Sequence, residues 1–206
     1  MRFEDGIKDA QGWIDYLSND KRISGIYVLG HSEGALVGMV TSVDNSKVKG
    51  YISVAGAGRP AYEIVEEQMA GQPEVIRDMV KSINTSLKEG KLVPDVPIGL
   101  QALFRSSVQP YMISWYTYNP QEIIKKLKKP VLILQGYKDI QVSVKDAELL
   151  RQAQPSADYY LIRNMNHLMK TCDTMDQQKQ MATYPDPALP LHKDVMILIE
   201  KFVSKP

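Results

Sequence analysis

The pentapeptide Gly30-His31-Ser32-Glu33-Gly34 decides the fold that this sequence predicts. It lies between an apolar run that ends at Leu29 and a helix-like stretch that begins at Ala35, as in a strand-to-helix turn. Such a turn exposes a serine hydroxyl, aims the next backbone N–H at a reacting carbonyl and allows a histidine to take the proton. Glycines two residues before and after the serine suit the turn, because larger side chains are expected to collide with neighbouring backbone there. The stretch therefore predicts a nucleophile elbow.

The composition is that of an ordinary folded protein and excludes several classes of function. With 206 residues, of which 44% are apolar and 24% charged, the chain can bury one sizeable core. A formal charge of +1 gives no electrostatic case for a nucleic acid or a membrane surface as partner. The single cysteine, Cys172, excludes an internal disulfide framework. The sequence shows no transmembrane run and no signal peptide at its start, so we expect a soluble protein in an unknown compartment.

Apolar patterns on both sides of the elbow predict alternating strands and helices. Short apolar runs fit parallel strands that are covered on both faces, at 23–29, 48–55, 130–134 and 159–162. Helical periodicity occurs at 3–18, at 35–41, at 121–127, at 143–153 and near the C-terminus. Ser143 and Asp146 have the spacing of a capping pattern at the start of one of these helices. Strand and helix in alternation predict a right-handed α/β architecture.

The region between the second and third predicted strands has a different character. From 61 to 119 no strand pattern occurs, and helical periodicity dominates. We therefore expect an α/β core formed by 1–60 and 120–206, interrupted by a helical cap insertion over 61–119.

A serine elbow needs a base, and the chain contains three histidines. His31 lies inside the elbow, where its side chain is expected to point away from the serine oxygen. His192 stands at the start of the closing helix, as a cap or surface residue would. His167 follows the fourth strand and so emerges at the carboxyl edge of the sheet, where open α/β sheets gather their chemistry. We therefore predict that His167 is the general base.

The orienting acid is selected by the same argument. Asp139 follows the third strand, one strand before the histidine, and is preferred to Asp146 and Asp173 for that position. Its carboxylate would fix the imidazole tautomer and stabilise the imidazolium that forms when Ser32 loses its proton. The resulting chain order of serine, aspartate and histidine is the order of α/β-hydrolases and differs from those of chymotrypsin and subtilisin.

Three motifs together carry a family resemblance: GHSEG at 30–34, PVLILQGYKDIQV at 130–142 and RNMNHLMK at 163–170. The sequence resembles the α/β-hydrolase superfamily, and within it the prolyl-oligopeptidase-like, dienelactone-hydrolase-like and feruloyl-esterase-like serine hydrolases. The resemblance implies Ser32, Asp139 and His167 as a catalytic triad, the Glu33 backbone N–H as an oxyanion donor, and no cofactor. It also implies a small-molecule ester or acyl compound as substrate.

The sequence departs from this family at its start. A complete member carries about four strands and an oxyanion loop before the helix that precedes the elbow, whereas this sequence begins at that helix. With one oxyanion donor instead of two, turnover is expected to fall by about 100- to 1000-fold. The alternative is therefore a truncated, weakly active or inactive chain whose open sheet edge pairs with another chain, as in a homo-oligomer.

Candidate residues for other binding roles are less distinctive. Large apolar residues of the insertion could line a substrate pocket or form the insertion's own core, and the pocket candidates are Met69, Phe104, Tyr111 and Trp115. No cluster of histidine and cysteine has the spacing of metal ligands, and the glycine-containing stretch 55–58 lacks the Lys-Ser/Thr of a phosphate loop. We therefore expect neither a metal nor a nucleotide.

Overall fold

The computed structural model describes residues 1–205 and contains one four-stranded sheet. All strands are parallel and lie side by side in chain order: β1 (Ile26–His31), β2 (Val48–Val54), β3 (Val131–Gly136) and β4 (Asp158–Ile162). The predicted α/β class with about four parallel strands is confirmed. β1 begins later than expected, because Ser24 and Gly25 interrupt the apolar run and glycine is unfavourable in strands.

Ten helices accompany the sheet within the described residues. They are α1 (Phe3–Ser18), α2 (Glu33–Ser42), α3 (Ala61–Gln68), α4 (Glu74–Lys88), α5 (Gln101–Phe104), α6 (Gln109–Trp115), α7 (Pro120–Ile124), α8 (Val144–Ala153), α9 (Gln177–Ala182) and α10 (Lys193–Val203). A 3-10 turn, Ile98–Leu100, precedes α5. The sequence patterns did not predict α9, since its six residues are mostly polar and show no apolar periodicity.

Successive side chains of the central strands point to opposite faces of the sheet and feed two separate cores. On one face, Tyr51 and Ile133 pack with α1, α2, α7 and α8. On the other, Ile52 and Leu134 pack against Phe202 of α10. Because helices cover both faces, β2 and β3 are buried almost throughout, which explains their unbroken apolar sequences.

The chain between β2 and β3 is helical and has a core of its own. Val80, Leu87, Phe104 and Met112 are among the residues that bury their side chains there rather than against the sheet. Trp115 at the end of α6 packs against both this core and the α2 side of the sheet core. The cap is thus anchored to the sheet while its interior remains separate.

β1 forms one edge of the sheet, because it pairs with β2 on one side only. The strand carries no Asp, Glu, Lys or Arg, and the Leu29 side chain is 46% exposed. Charged residues are one of the features that keep edge strands from pairing with other chains. That this edge pairs with another chain stays a prediction.

The capping pattern at 143–146 forms a different set of bonds from the one predicted. The Ser143 hydroxyl donates to the Asp146 carboxylate at 2.9 Å, and Asp146 itself is fully buried. That carboxylate accepts from the Gly58 backbone N–H at 3.0 Å and from Arg59 Nε and Nη2 at 3.0 and 2.7 Å. The Arg59 guanidinium also pairs with Glu67, and the hydrogen bonds that it donates to Asp146 are the main cause that raises the pKa of Arg59. Asp146 therefore joins α8 to the loop after β2 instead of capping its own helix.

Candidate active site

The elbow joins β1 directly to α2, with Ser32 between them. Ser32 has φ 56° and ψ −122°, a backbone conformation that non-glycine residues adopt at a cost of about 1–3 kcal/mol. A Cβ on Gly30 would lie 2.1 Å from the Gly34 carbonyl oxygen, so this position requires glycine. A Cβ on Gly34 would meet nothing within 4 Å, so the collision predicted there is wrong.

Asp139 and His167 form a buried pair at the carboxyl edge of the sheet. His167 Nδ1 donates to Asp139 Oδ2 at 2.8 Å, and the two residues are 3% and 5% exposed respectively. The other carboxylate oxygen, Oδ1, accepts from the backbone N–H groups of Gln141 and Val142 at 2.8 and 2.9 Å. Gln135 Nε2 adds a fourth donor, at 3.2 Å from Oδ2. These bonds hold the carboxylate in one orientation and place the proton of the neutral imidazole on Nδ1.

The close approach of two loops makes this pair possible. Tyr137 N–H donates to the Ile162 carbonyl at 2.9 Å, and Lys138 N–H donates to the Met165 carbonyl at 3.0 Å. A Cβ on Gly136 would lie 2.2 Å from the Met165 carbonyl oxygen, so a larger residue would push the loop that carries Asp139 away from the loop that carries His167. The close approach that allows the Asp139–His167 hydrogen bond therefore depends on Gly136, the last residue of β3.

The structure places the third predicted triad residue, Ser32, at the same edge of the sheet, at the end of β1. Within residues 1–205, no hydrogen bond joins its hydroxyl to His167; such bonds are often long in unliganded sites and tighten around substrate. Glu33 is the first residue of α2, where helical N–H groups have no partner inside the helix. That the Glu33 N–H is an oxyanion donor stays a prediction.

The Glu33 side chain turns toward the cap. Its carboxylate accepts a hydrogen bond from the Tyr111 hydroxyl of α6. Burial, followed by the interaction with Glu33, raises the pKa of Tyr111, so the phenol keeps its proton and remains the donor. Glu33, the residue after Ser32, is thereby hydrogen-bonded to the cap.

A cavity of about 80 Å³ opens beside Ser32. Its lining is mainly apolar and includes Leu36, Val65, Trp115 and Val142, together with Arg59. Of the four predicted pocket residues, only Trp115 borders this cavity.

The other three predicted pocket residues have different surroundings. Phe104 is fully buried inside the cap core, and Met69 packs against that same core. Tyr111 packs edge-to-face against Phe3 and donates a hydrogen bond to Glu33. The prediction that Phe104 lines the pocket is corrected for a simple reason: helical periodicity marks a buried face but does not distinguish a core from a cavity wall.

The remaining acids and histidines lie outside the pair. Asp173 is exposed, and Asp146 is engaged by Arg59. His192 caps α10 as predicted, accepting from the Asp194 N–H at 3.3 Å, and its Nε2 lies 2.9 Å from Asn164 Oδ1. It thus also holds the loop that carries His167.

Sequence reasoning missed two glutamines that support the loop that carries Asp139. Gln135 reaches Asp139 from the interior of β3, and Gln180 of α9 donates to the Lys138 carbonyl at 2.5 Å. Both side chains are fully buried. Buried polarity in an apolar strand is the one signal that could have indicated Gln135; Gln180 has no such signal.

No three His, Cys, Asp or Glu side chains in 1–205 are grouped so that they could hold a metal ion. None of the helices in this range combines the length and the apolar character required to cross a bilayer.

Comparisons with known proteins agree with this architecture. Esterase EstD of Thermotoga maritima is 29% identical in an alignment of 172 residues that covers 79% of this chain and 40% of EstD. The structure of Est1E from Butyrivibrio proteoclasticus with bound ferulic acid has a TM-score of 0.64 at 16% identity, over 100% of this chain and 70% of that one. An alpha/beta fold family hydrolase from Bacillus anthracis str. Sterne has a TM-score of 0.52 at 16% identity, over 88% and 73%. No protein-family model matches the sequence.

The chain has the α/β-hydrolase fold. The resemblance predicted from the three motifs is therefore confirmed at the level of the fold. The chain spans only 40% of the length of EstD, its sequence relative.

Proposed function

We propose that this chain is a serine hydrolase that cleaves carboxylic esters through an acyl-enzyme. The observation that carries the proposal is the buried Asp139–His167 pair, which lies at the same sheet edge as a serine held at φ 56°. The esterase EstD, similar over 79% of this chain, supports an ester as the substrate class. Thioesters and peptides are cleaved by the same kind of triad, and the names of the similar proteins favour the ester.

In the first half of the reaction, Ser32 Oγ attacks the ester carbonyl carbon and its proton passes to His167 Nε2. Nε2 can accept this proton because Nδ1 already carries one, directed at Asp139. The negative charge that develops on the carbonyl oxygen is stabilised by the Glu33 N–H. When the bond to the alcohol breaks, the alkoxide takes the proton from Nε2, and the acyl group remains on Ser32.

In the second half, water attacks the acyl carbon while His167 Nε2 takes its proton. The tetrahedral intermediate then collapses, the proton returns to Ser32 Oγ and the carboxylic acid leaves. Asp139 stays ionised throughout and stabilises each imidazolium that forms. The two backbone N–H groups at its Oδ1 hold the carboxylate in place.

The cavity beside Ser32 limits the size of the acyl group. At about 80 Å³ it is smaller than the roughly 150 Å³ of an apolar cavity known to hold benzene. We therefore expect acetyl and propionyl esters to be cleaved faster than benzoyl esters. This would distinguish the chain from Est1E, whose structure holds ferulic acid.

The test uses the full chain with 4-nitrophenyl acetate and 4-nitrophenyl benzoate. We expect hydrolysis that Ser32→Ala abolishes, together with covalent labelling of Ser32 by a fluorophosphonate, located by mass spectrometry. Equal hydrolysis by the parent chain and Ser32→Ala would refute the proposal. A benzoate rate equal to the acetate rate would refute the size limit alone.

A further inference from the structure

His31, the residue before the nucleophile, makes a contact that the triad mechanism does not use. Its Nε2 lies 2.7 Å from the backbone carbonyl oxygen of His167. A carbonyl oxygen only accepts hydrogen bonds, so Nε2 carries the proton and donates it. The two imidazole rings also lie against each other, with centroids 4.8 Å apart and planes inclined by 47°. The His31 side chain thus reaches the backbone of His167.

This contact joins two segments at the ends of the two edge strands of the sheet, β1 and β4. The elbow follows β1, whereas His167 follows β4, and β2 and β3 separate the two strands. In the described part of the chain, the His31 bond is the one hydrogen bond between the elbow at 30–34 and the loop at 163–170. His167 is therefore held at two points, its side chain by Asp139 and its backbone by His31.

The position of His31 in the chain gives the contact its effect. Because Ser32 is the next residue, a displacement of the elbow also moves His31, and with it the His167 carbonyl to which His31 is bonded. The His31 bond consequently helps to fix the distance between Ser32 Oγ, which attacks, and His167 Nε2, which accepts the proton. Misplacement of reacting groups by about 1 Å can lower a rate by about 100-fold.

The charge of His31 is compatible with this role. Burial is the main cause that lowers the pKa of His31 below its ordinary value. The charged or titratable groups that act on it are the His167 imidazole and the Asp139 carboxylate. A neutral His31 does not repel the imidazolium that forms on His167 during the reaction.

We propose that His31 is a positioning residue, whose Nε2–H holds the His167 backbone so that the base faces Ser32. The inference rests on the proposed esterase function. His31 touches neither substrate nor the transferred proton and acts through His167.

The test compares His31→Gln with His31→Leu in the full chain. The glutamine amide nitrogen can occupy the place of Nε2 and donate to the same carbonyl, whereas leucine has a similar volume and no donor. With 4-nitrophenyl acetate we expect kcat to fall by about 10- to 100-fold in His31→Leu and by less than about 3-fold in His31→Gln. KM should change by less than about 2-fold in both, since neither side chain contacts the ester. If His31→Leu does not fold, His31→Asn replaces it, because its shorter amide does not reach the carbonyl.

A second measurement separates this inference from the function on which it rests. In ¹⁵N-labelled protein, the ring signals of His167 should broaden in His31→Leu and stay sharp in His31→Gln. Unchanged His167 signals, or a kcat in His31→Leu equal to that of the parent chain, would overturn the positioning role. Broadened signals in a chain that lacks Ser32-dependent hydrolysis would uphold the positioning and overturn the esterase function instead.

Discussion

Replacing Asp139 by asparagine tests the mechanism most directly, because the structure fixes how the amide must sit. The backbone N–H groups of Gln141 and Val142 both point at Oδ1, so the amide oxygen must take that place. The NH₂ group then occupies the place of Oδ2, where it faces two donors, His167 Nδ1 and Gln135 Nε2. It can bond to Nδ1 only if the imidazole proton moves to Nε2, and that tautomer cannot accept a proton from serine.

The expected loss follows from the bonds at Oδ2. Hydrogen bonds to a charged group contribute about 1.5–3 kcal/mol each, so losing two of them costs about 3–6 kcal/mol. Applied to the transition state, this lowers kcat by about 150- to 25,000-fold. The assay is steady-state hydrolysis of 4-nitrophenyl acetate, with KM expected to stay within about 2-fold. Asp173→Asn is the matched control, since that side chain is exposed and should leave kcat unchanged. A folded Asp139→Asn chain that keeps more than about a tenth of the parent kcat would refute the reasoning.

Four further predictions concern stability and assembly. Gly30→Ala should abolish activity and cost about 1–3 kcal/mol in urea unfolding, because its Cβ would lie 2.1 Å from a carbonyl oxygen, whereas Gly34→Ala should gain about 0.5–1 kcal/mol. Arg59→Met should lower the free energy of unfolding by about 3–5 kcal/mol, since it leaves the buried Asp146 charge without its main partner. Adding Asp146→Leu should recover much of this loss, and a double variant without any recovery would contradict the ion-pair argument. His31 titrates at a lower pH in the folded than in the unfolded state, so stability should fall as the pH drops below about 6.5, and His31→Gln should weaken this dependence; identical pH profiles would contradict it. If the free edge of β1 recruits a second copy, light scattering should show a dimer that a lysine in the middle of the strand dissociates, and a monomer at all concentrations would remove the idea.

The parts of the fold that could be predicted from sequence are those written in local patterns. Apolar runs located β2, β3 and β4 within one or two residues, because strands covered on both faces need continuous apolar sequence. The carboxyl edge of a parallel sheet then placed Ser32, Asp139 and His167 on one side of the molecule, although separate elements carry them.

The parts that could not be predicted depend on contacts between distant residues. Asp146 has the spacing of a local cap, yet its carboxylate bonds to Arg59, 87 residues away. His31 reaches His167 across 136 residues, and nothing in the pentapeptide indicates that bond. Phe104 follows the same helical period as a pocket residue would, and only the three-dimensional packing assigns it to the core.

The separate core of the cap has a consequence for how such a protein can diverge. The cap enters the chain between Ser32 and the Asp139–His167 pair, and its interior side chains are packed among themselves. Substitutions inside that interior can reshape the cavity beside Ser32 without disturbing the bonds around Asp139. For the proposed esterase, selection can therefore exchange one substrate for another through the cap while the proposed chemical step is inherited unchanged.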